Sequence, residues 1–298
     1  MDRETWLAER RKGIGSSDAA AIAGLAPEGW GSALSVYLDK LGQLPERTTE
    51  PMRWGTRLEP AIAAAYQEET GVEISQPAPL IVRHPEHSWM LASPDRLAAD
   101  RIVELKTCSA FHAEQWGEPG TDEVPEHYLV QVQHQLAVTG MDLADVAVLI
   151  GGQDFRVYTL FRSEALISRL LEIEAAFWER VQQRQPPEPD WSHPNTPALV
   201  DALHAPKGGS VQLHGGDALD LVNVYQELTS EIGDKQEQKA EVRARLSWLM
   251  GEAGEGVLAD GRRITRKEVT RKSYTVNETT YVDFRIRPAK PARKERSE

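Results

Sequence analysis

The hydrophobic period of this chain changes twice before residue 140, and those two changes constrain its fold more than any single motif does. Up to Gly71 the apolar residues recur at helical spacing, as Leu34, Tyr37, Leu38 and Leu41 do in SALSVYLDKLG, and an alanine-rich helix is read in LEPAIAAAYQEETG. From residue 72 the pattern is strand-like, in VEISQ, PLIVRH, SWMLASPDRL and RIVELKT, with AAD between the last two as a hairpin turn. Helical spacing returns in HYLVQVQHQLAVTG, ending at Gly140, then DVAVLIGG and DFRVYTLFR read as strands and ALISRLLEIEAAFWERVQQ as a long amphipathic helix. Helices interleaved with strands in this way place the chain in the α/β class.

The ends have a different character. Residues 4–12 read as a short polar helix, followed in GIGSSDAAAIAGL by a turn, an N-cap at Ser16, Ser17 or Asp18, and a small-residue helix. A proline-rich stretch, RQPPEPDWSHPNTP, marks a boundary near residue 186. Beyond a loop-like segment, Leu221, Tyr225, Leu228, Ile232, Val242, Leu246 and Leu249 follow a four-three alternation that Lys235 and Lys239 interrupt. This is expected to be an arm that packs on another helix or subunit. Asp260-Gly261 then turns a second hairpin. The expected organisation is a core over residues 1–185, a linker or loop over 186–220, and a C-terminal part over 221–298 made of heptad helix, hairpin and basic tail.

Composition excludes several classes. Cys108 is the only cysteine, so neither an intramolecular disulfide nor a four-cysteine zinc or iron-sulfur site can come from this chain, and any metal must be held by oxygen or histidine. A net charge of -12 argues against a protein that coats nucleic acid over its whole surface, though it permits a local site, and residues 262–298 hold twelve Lys/Arg against five Asp/Glu. No run approaches the roughly eighteen apolar residues of a membrane span. MDRETWLAERRKG lacks the apolar stretch of a signal peptide, so a cytoplasmic protein is expected.

The chemistry is concentrated in LASPDRLAADRIVELKT, residues 91–107. Alternate residues of a strand share a face, so Glu104 and Lys106 project together while Leu105 faces away. A turn near residues 99–100 brings Asp95 across from them. Carboxylate oxygens are hard ligands suited to Mg2+, and the backbone carbonyl of Leu105 can join Asp95 and Glu104 in the inner shell. Such an ion polarises a phosphoryl oxygen and activates water, while Lys106 orients or deprotonates that water and offsets transition-state charge. A surface strand bearing a Glu/Lys pair would have the same local spacing, so the case rests on three further features.

Glu59, in WGTRLEPAIAAAY, can bring a third carboxylate, although Thr56-x-x-Glu59 also has the form of a capping box. In YLVQVQHQLAV, Gln131 and Gln135 share a helical face that Gln133 does not, and a buried amide there can hold a water or a carboxylate. In RRKGIGSSDAA, Arg11 and the serine hydroxyls at a helix start can bind a phosphate, particularly a terminal one.

Taken in order, RRKGIGSSDAA, WGTRLEP, SPDR, VELKT and YLVQVQHQLAV resemble the YqaJ-type viral recombinase family, which is similar to the lambda exonuclease family within the PD-(D/E)xK nuclease superfamily. The resemblance covers residues 5–180, and more weakly the heptad helix through FRIRP. It implies a restriction-endonuclease-like core, a central mixed β-sheet flanked by helices, with an α-helical arm and β-hairpin as C-terminal extension. It also implies a Mg2+-dependent (or Mn2+-dependent) exonuclease that degrades the 5'-ended strand of linear duplex DNA and leaves a 3' overhang for a single-strand annealing protein. The family's lambda-like members form ring-shaped trimers around DNA, so the resemblance implies a homo-oligomer of that kind.

By the same resemblance Asp95 and Glu104 match the metal ligands, Lys106 the catalytic lysine, Glu59 the acidic residue of the preceding helix and Gln131 the active-site glutamine. Arg11 and Ser17 match the 5'-phosphate positions, with Ser16 and Asp18 as rivals for the serine. Two other readings compete: an endonuclease of the same superfamily, since the metal chemistry does not choose between ends and interiors, and a non-catalytic DNA-binding adaptor that acts through its basic tail.

Overall fold

A computed structural model describes residues 2–45, 48–213, 215–270, 278 and 280–286. Most of the expected basic tail lies outside them. Two compact units, residues 1–205 and 206–298, are described separately.

The first unit is organised by a four-stranded sheet of β4 (Arg96–Leu97), β5 (Ile102–Cys108), β6 (Leu143–Ile150) and β7 (Asp154–Phe161). Its order is β4-β5-β6-β7, with β5 and β6 parallel and the other pairs antiparallel, which makes it mixed. The parallel step requires a crossover, and the helix Glu126–Thr139 supplies it, capped by Gly140 at φ 72°.

Strand alternation sorts the core residues onto two faces. On one face Ile102, Val146 and Val148 meet Val132 and Leu136 of that crossover helix. On the other, Val103, Leu105 and Ala147 meet Ile62, Ala63 and Tyr66 of the helix Glu50–Thr70. The sheet is therefore covered on both sides. Each fully buried aliphatic side chain, such as Val132 or Leu136, contributes about 1.5–3 kcal/mol.

A smaller sheet sets the edge of the site. β1 (Ile14–Gly15), β2 (Val82–Arg83) and β3 (Met90–Ala92) pair in the order β1-β3-β2. Gly13 is required here, because a Cβ at that position would meet the Trp89 carbonyl oxygen at 2.2 Å. VEISQ, expected as a strand, forms only one bridge, Ser75 to Leu97.

Two boundaries differ from expectation. The helix Glu50–Thr70 begins well before LEPAIAAAY, capped by Thr49, so Thr56 and Glu59 lie inside it and make no capping box. Thr56 Oγ1 instead donates to the Met52 carbonyl at 3.2 Å. The expected boundary near residue 186 falls inside the first unit, because the helix Thr196–Leu203 buries Leu199 against Phe177, Val181 and Leu38. That proline-rich run is thus a link between packed helices.

The second unit holds the helix Gly216–Met250 and a hairpin of Glu255–Val257 with Arg263–Thr265, turned through Gly261 at φ 85°. Leu221, Leu228, Ile232 and Leu249 of the helix are all exposed. No helix among the described residues is long and apolar enough to cross a membrane.

Candidate active site

Strand periodicity in β5 directs Glu104 and Lys106 toward the helix Glu126–Thr139 and Leu105 toward the opposite layer. One turn apart on that helix, Gln131 and Gln135 meet the pair. Glu104 is 3% exposed and both its oxygens are engaged. Oε1 accepts from Lys106 Nζ at 2.6 Å and from Gln131 Nε2 at 2.5 Å, and Oε2 accepts from Gln135 Nε2 at 2.8 Å. Lys106 also donates to Gln131 Oε1 at 3.2 Å, with its ammonium 4.9 Å from the Tyr128 ring centre.

Asp95 sits just outside the hairpin strands, in the short link where the chain leaves β3 of the small sheet and enters β4 of the large one. Its Oδ2 accepts the Leu105 N–H at 2.8 Å. The N–H and C=O of one strand residue lie along the same edge, so the Leu105 carbonyl is turned toward Asp95 as well.

Charge balance shows what group this site fits. Burial first, and then the charge of Glu104, push Asp95 up to about 7 in spite of Lys106 and the Leu105 N–H. Burial would strip the proton from Lys106, but Glu104 and Asp95 outweigh it and push the ammonium up to about 12. Two carboxylates thus share one compensating cation. A further hard cation suits this oxygen set, with Asp95, Glu104 and the Leu105 carbonyl as the residues that would hold it.

Glu59 is turned aside. Its Oε1 accepts from Arg96 Nη1 at 2.6 Å, and the same nitrogen bonds the Asp95 carbonyl at 2.5 Å, so Glu59 meets the site through Arg96. Among the described residues no three His, Cys, Asp or Glu side chains converge as a cation site. Two carboxylates and a carbonyl form the available set.

The expected phosphate residues separate into two groups. Arg11 pairs with Asp39 at 3.7 Å. Its neighbour Arg10 lies 4.6 Å from the Trp6 ring centre and donates through Nη2 to Ser17 Oγ at 2.6 Å. Asp18 is structural: it accepts the Gly15 N–H at 2.8 Å and pairs with buried Lys40 at 2.5 Å. Ser16 is buried, 3.4 Å from Gln135 Nε2.

One cavity of about 210 Å³ joins these groups, with Arg10, Ser16, Ser17, Asp95, Glu104 and Gln131 in its walls. A cleft of about 730 Å³ has Arg10, Ser17, Lys106 and Gln131 in its wall too, and Trp30 and His127 besides. Arg10 and Gln135 were not among the expected site residues. Gln135 carried a signal, since it shares the face of Gln131. Arg10 carried none, because only the turn after the first helix decides which of two adjacent arginines faces Ser17.

A site with paired carboxylates and an arginine-serine pair around a small cavity, and an ammonium bonded to one of those carboxylates, is equipped to bind a phosphodiester and stabilise negative charge developing on it. Known proteins share both the sequence and the fold. The family described as the YqaJ-like viral recombinase domain matches residues 5–142. The uncharacterized protein YqaJ of Bacillus subtilis (strain 168) is 34% identical over 274 residues, spanning 87% of this chain and 82% of that one.

Among solved structures, LHK-Exo in complex with dAMP superposes with a TM-score of 0.50 at 24% identity, covering 61% of this chain and 94% of that one. The alkaline exonuclease (LHK-Exo) from Laribacter hongkongensis gives 0.49 at 22% identity, with the same 61% and 94% coverage. The first of these likenesses shows the fold: a restriction-endonuclease-like mixed sheet flanked by helices.

Proposed function

The chain belongs to the YqaJ-like viral recombinase domain family, and from that premise we propose that it is a Mg2+-dependent exonuclease acting on linear duplex DNA. The observation that carries this reading is the contact between Lys106 and Glu104, at 2.6 Å, where Glu104 lines a cavity that Arg10 and Ser17 line as well. LHK-Exo, described as an alkaline exonuclease, supports the activity class by analogy.

In this reading Asp95, Glu104 and the Leu105 carbonyl would hold Mg2+, or Mn2+, which accepts the same oxygens. Such an ion would supply Lewis-acid polarisation of the phosphoryl oxygen and make the attacking water more acidic. Glu104 is held in one orientation by Lys106, Gln131 and Gln135. Lys106, as an ammonium, faces the phosphate and offsets charge that grows as the water attacks. Gln131 links the two, donating to Glu104 and accepting from Lys106, so that neither side chain swings away.

Arg10 and Ser17 supply the end preference, because a terminal phosphate carries more charge than an internal one and a guanidinium-hydroxyl pair rewards it. Gripping a 5' phosphate makes the 5'-ended strand the one cut, leaving a 3' overhang as substrate for a single-strand annealing protein. By family resemblance the chain assembles as a ring-shaped trimer, which light scattering of the pure protein tests.

The decisive assay is end-labelled linear 5'-phosphorylated duplex against covalently closed circles, with Mg2+ at alkaline pH, for the wild type and Lys106→Ala. Shortening from 5' ends by the wild type alone is expected. Cutting of closed circles would replace this reading by an endonuclease, and inactivity on every substrate would leave a DNA-binding adaptor.

A further inference from the structure

Trp30 is a large apolar side chain that the fold holds out of its core. The chain enters the segment through Gly24 at φ 73° and makes a tight turn in which the Trp30 N–H reaches the Pro27 carbonyl at 3.0 Å, with Gly29 at φ 80°, a conformation that side-chain-bearing residues rarely adopt. The turn presents the indole at 65% exposure. It is steadied by His127, with ring centres 5.1 Å apart at 67°, and by Tyr128 at 6.3 Å and 68°.

Those supports lead straight to the chemistry. Tyr128 is the ring over which the Lys106 ammonium lies, so an aromatic file runs from Lys106 through Tyr128 and His127 to Trp30 along one wall of the cleft. Burial first, and then Lys106, push His127 down to about 4. Its imidazole is therefore neutral at working pH and serves as a prop, not as a phosphate cation. Trp6, in the same cleft, differs because Arg10 and Arg3 lie over its ring.

A steadied and largely open indole beside a phosphodiester site suits a planar aromatic group covalently tied to the phosphate chain. We propose that Trp30, propped by His127, is the stacking platform for a nucleobase of the strand being cut, close to the scissile phosphate. The inference rests on the nuclease reading and deepens it. Stacking uses the base face, which every base has, so the contact is indifferent to sequence.

The test uses the full chain and 5'-phosphorylated duplex carrying 5-iododeoxyuridine at each of the first few nucleotides in turn, with Ca2+ replacing Mg2+ to hold the strand uncut. Near-ultraviolet light joins iodouracil to a stacked ring, and mass spectrometry locates the adduct. An adduct at Trp30 is expected, in the wild type and in Lys106→Ala alike. Trp30→Ala should lose it and weaken binding of the same duplex about tenfold, while Trp30→Phe recovers most of that affinity.

Unchanged affinity in Trp30→Ala with no adduct at Trp30 from any labelled position overturns the platform and leaves the nuclease reading standing. Failure of the wild type both to bind and to cut duplex DNA overturns the two together. Since Trp30 is mostly in solvent, its replacement leaves the core intact.

Discussion

Gln135 donates a hydrogen bond to Glu104 across 2.8 Å, and both residues are buried. A carboxylate so enclosed keeps one orientation only while each oxygen has a donor, and Gln135 donates to Oε2. Gln133, two residues away, faces elsewhere and ties the Phe161 carbonyl and the Ser163 N–H to the helix.

The two glutamines should therefore fail differently. A hydrogen bond to a charged group contributes about 1.5–3 kcal/mol, so Gln135→Ala should lower kcat about tenfold to a hundredfold with little change in duplex affinity. Gln133→Ala should lower the melting temperature while sparing kcat per folded molecule. Steady-state kinetics beside thermal melts separate the two, and equal kcat losses would contradict the assignment.

The adjacent arginines should separate just as clearly. Arg10 donates to Ser17, whereas Arg11, in the wall of the same cleft, lies 3.7 Å from Asp39. Arg10→Ala is expected to remove about tenfold or more of any preference for 5'-phosphorylated over 5'-hydroxyl ends, and Arg11→Ala to leave that ratio unchanged. Competition between the two labelled duplexes measures the ratio, and the reverse outcome would return the phosphate to Arg11.

Periodicity made the layered core legible, because it reports which face of an element is apolar. The crossover helix, β6, β7 and the helix that follows them all lie where their spacing puts them. Glu104, Lys106 and Gln131 meet for the same reason, since a period of two and a period of 3.6 fix the facing sides of a strand and a helix, whereas Asp95, in the link before β4, is placed by the Leu105 N–H. Less legible was whatever depends on long-range contact. The helix that carries Glu59 reads as starting near Leu58 because Gly55 and Pro60 weaken a helix whose real start is capped at Thr49. Leu199 looks like linker until Phe177 and Val181 are beside it.

Asp145 is a buried carboxylate of the same sheet that should prove structural. It lies on the face away from Glu104 and accepts from Tyr66 Oη at 2.5 Å, Thr159 Oγ1 at 2.8 Å and Arg101 Nη1 at 3.0 Å. Asp145→Ala leaves those donors unmatched and should cost about 3–5 kcal/mol of stability. Denaturant unfolding measures the loss. Cleavage per folded molecule should stay near wild type, and its abolition in a fully folded variant would place Asp145 in the chemistry.

The buried pair of His134 and Glu174 should make stability depend on pH. His134 Nε2 lies 2.9 Å from the Leu91 carbonyl, which can only accept, so that nitrogen carries a hydrogen. Nδ1 lies 2.9 Å from Glu174 Oε1, a contact that needs one proton between the two groups. Burial alone would push His134 down, but the Glu174 charge and hydrogen bond, with the Leu91 carbonyl, outweigh it and hold His134 above its ordinary value of 6.5.

A native state that binds the proton more tightly than the unfolded chain gains stability that is fully present below about pH 6.5 and is lost as pH rises through the raised value. Between about pH 6.5 and that value each pH unit removes about 1.4 kcal/mol, and above it no more is lost. Deprotonation also leaves the Glu174 carboxylate buried, with its Oε2 lacking a partner among the described residues. Glu174→Gln keeps a neutral hydrogen bond to Nδ1 and has no proton to lose there. Thermal melts from pH 6 to pH 10 should fall more steeply for the wild type than for Glu174→Gln, and parallel profiles would show that the pair does not hold its proton in the native protein.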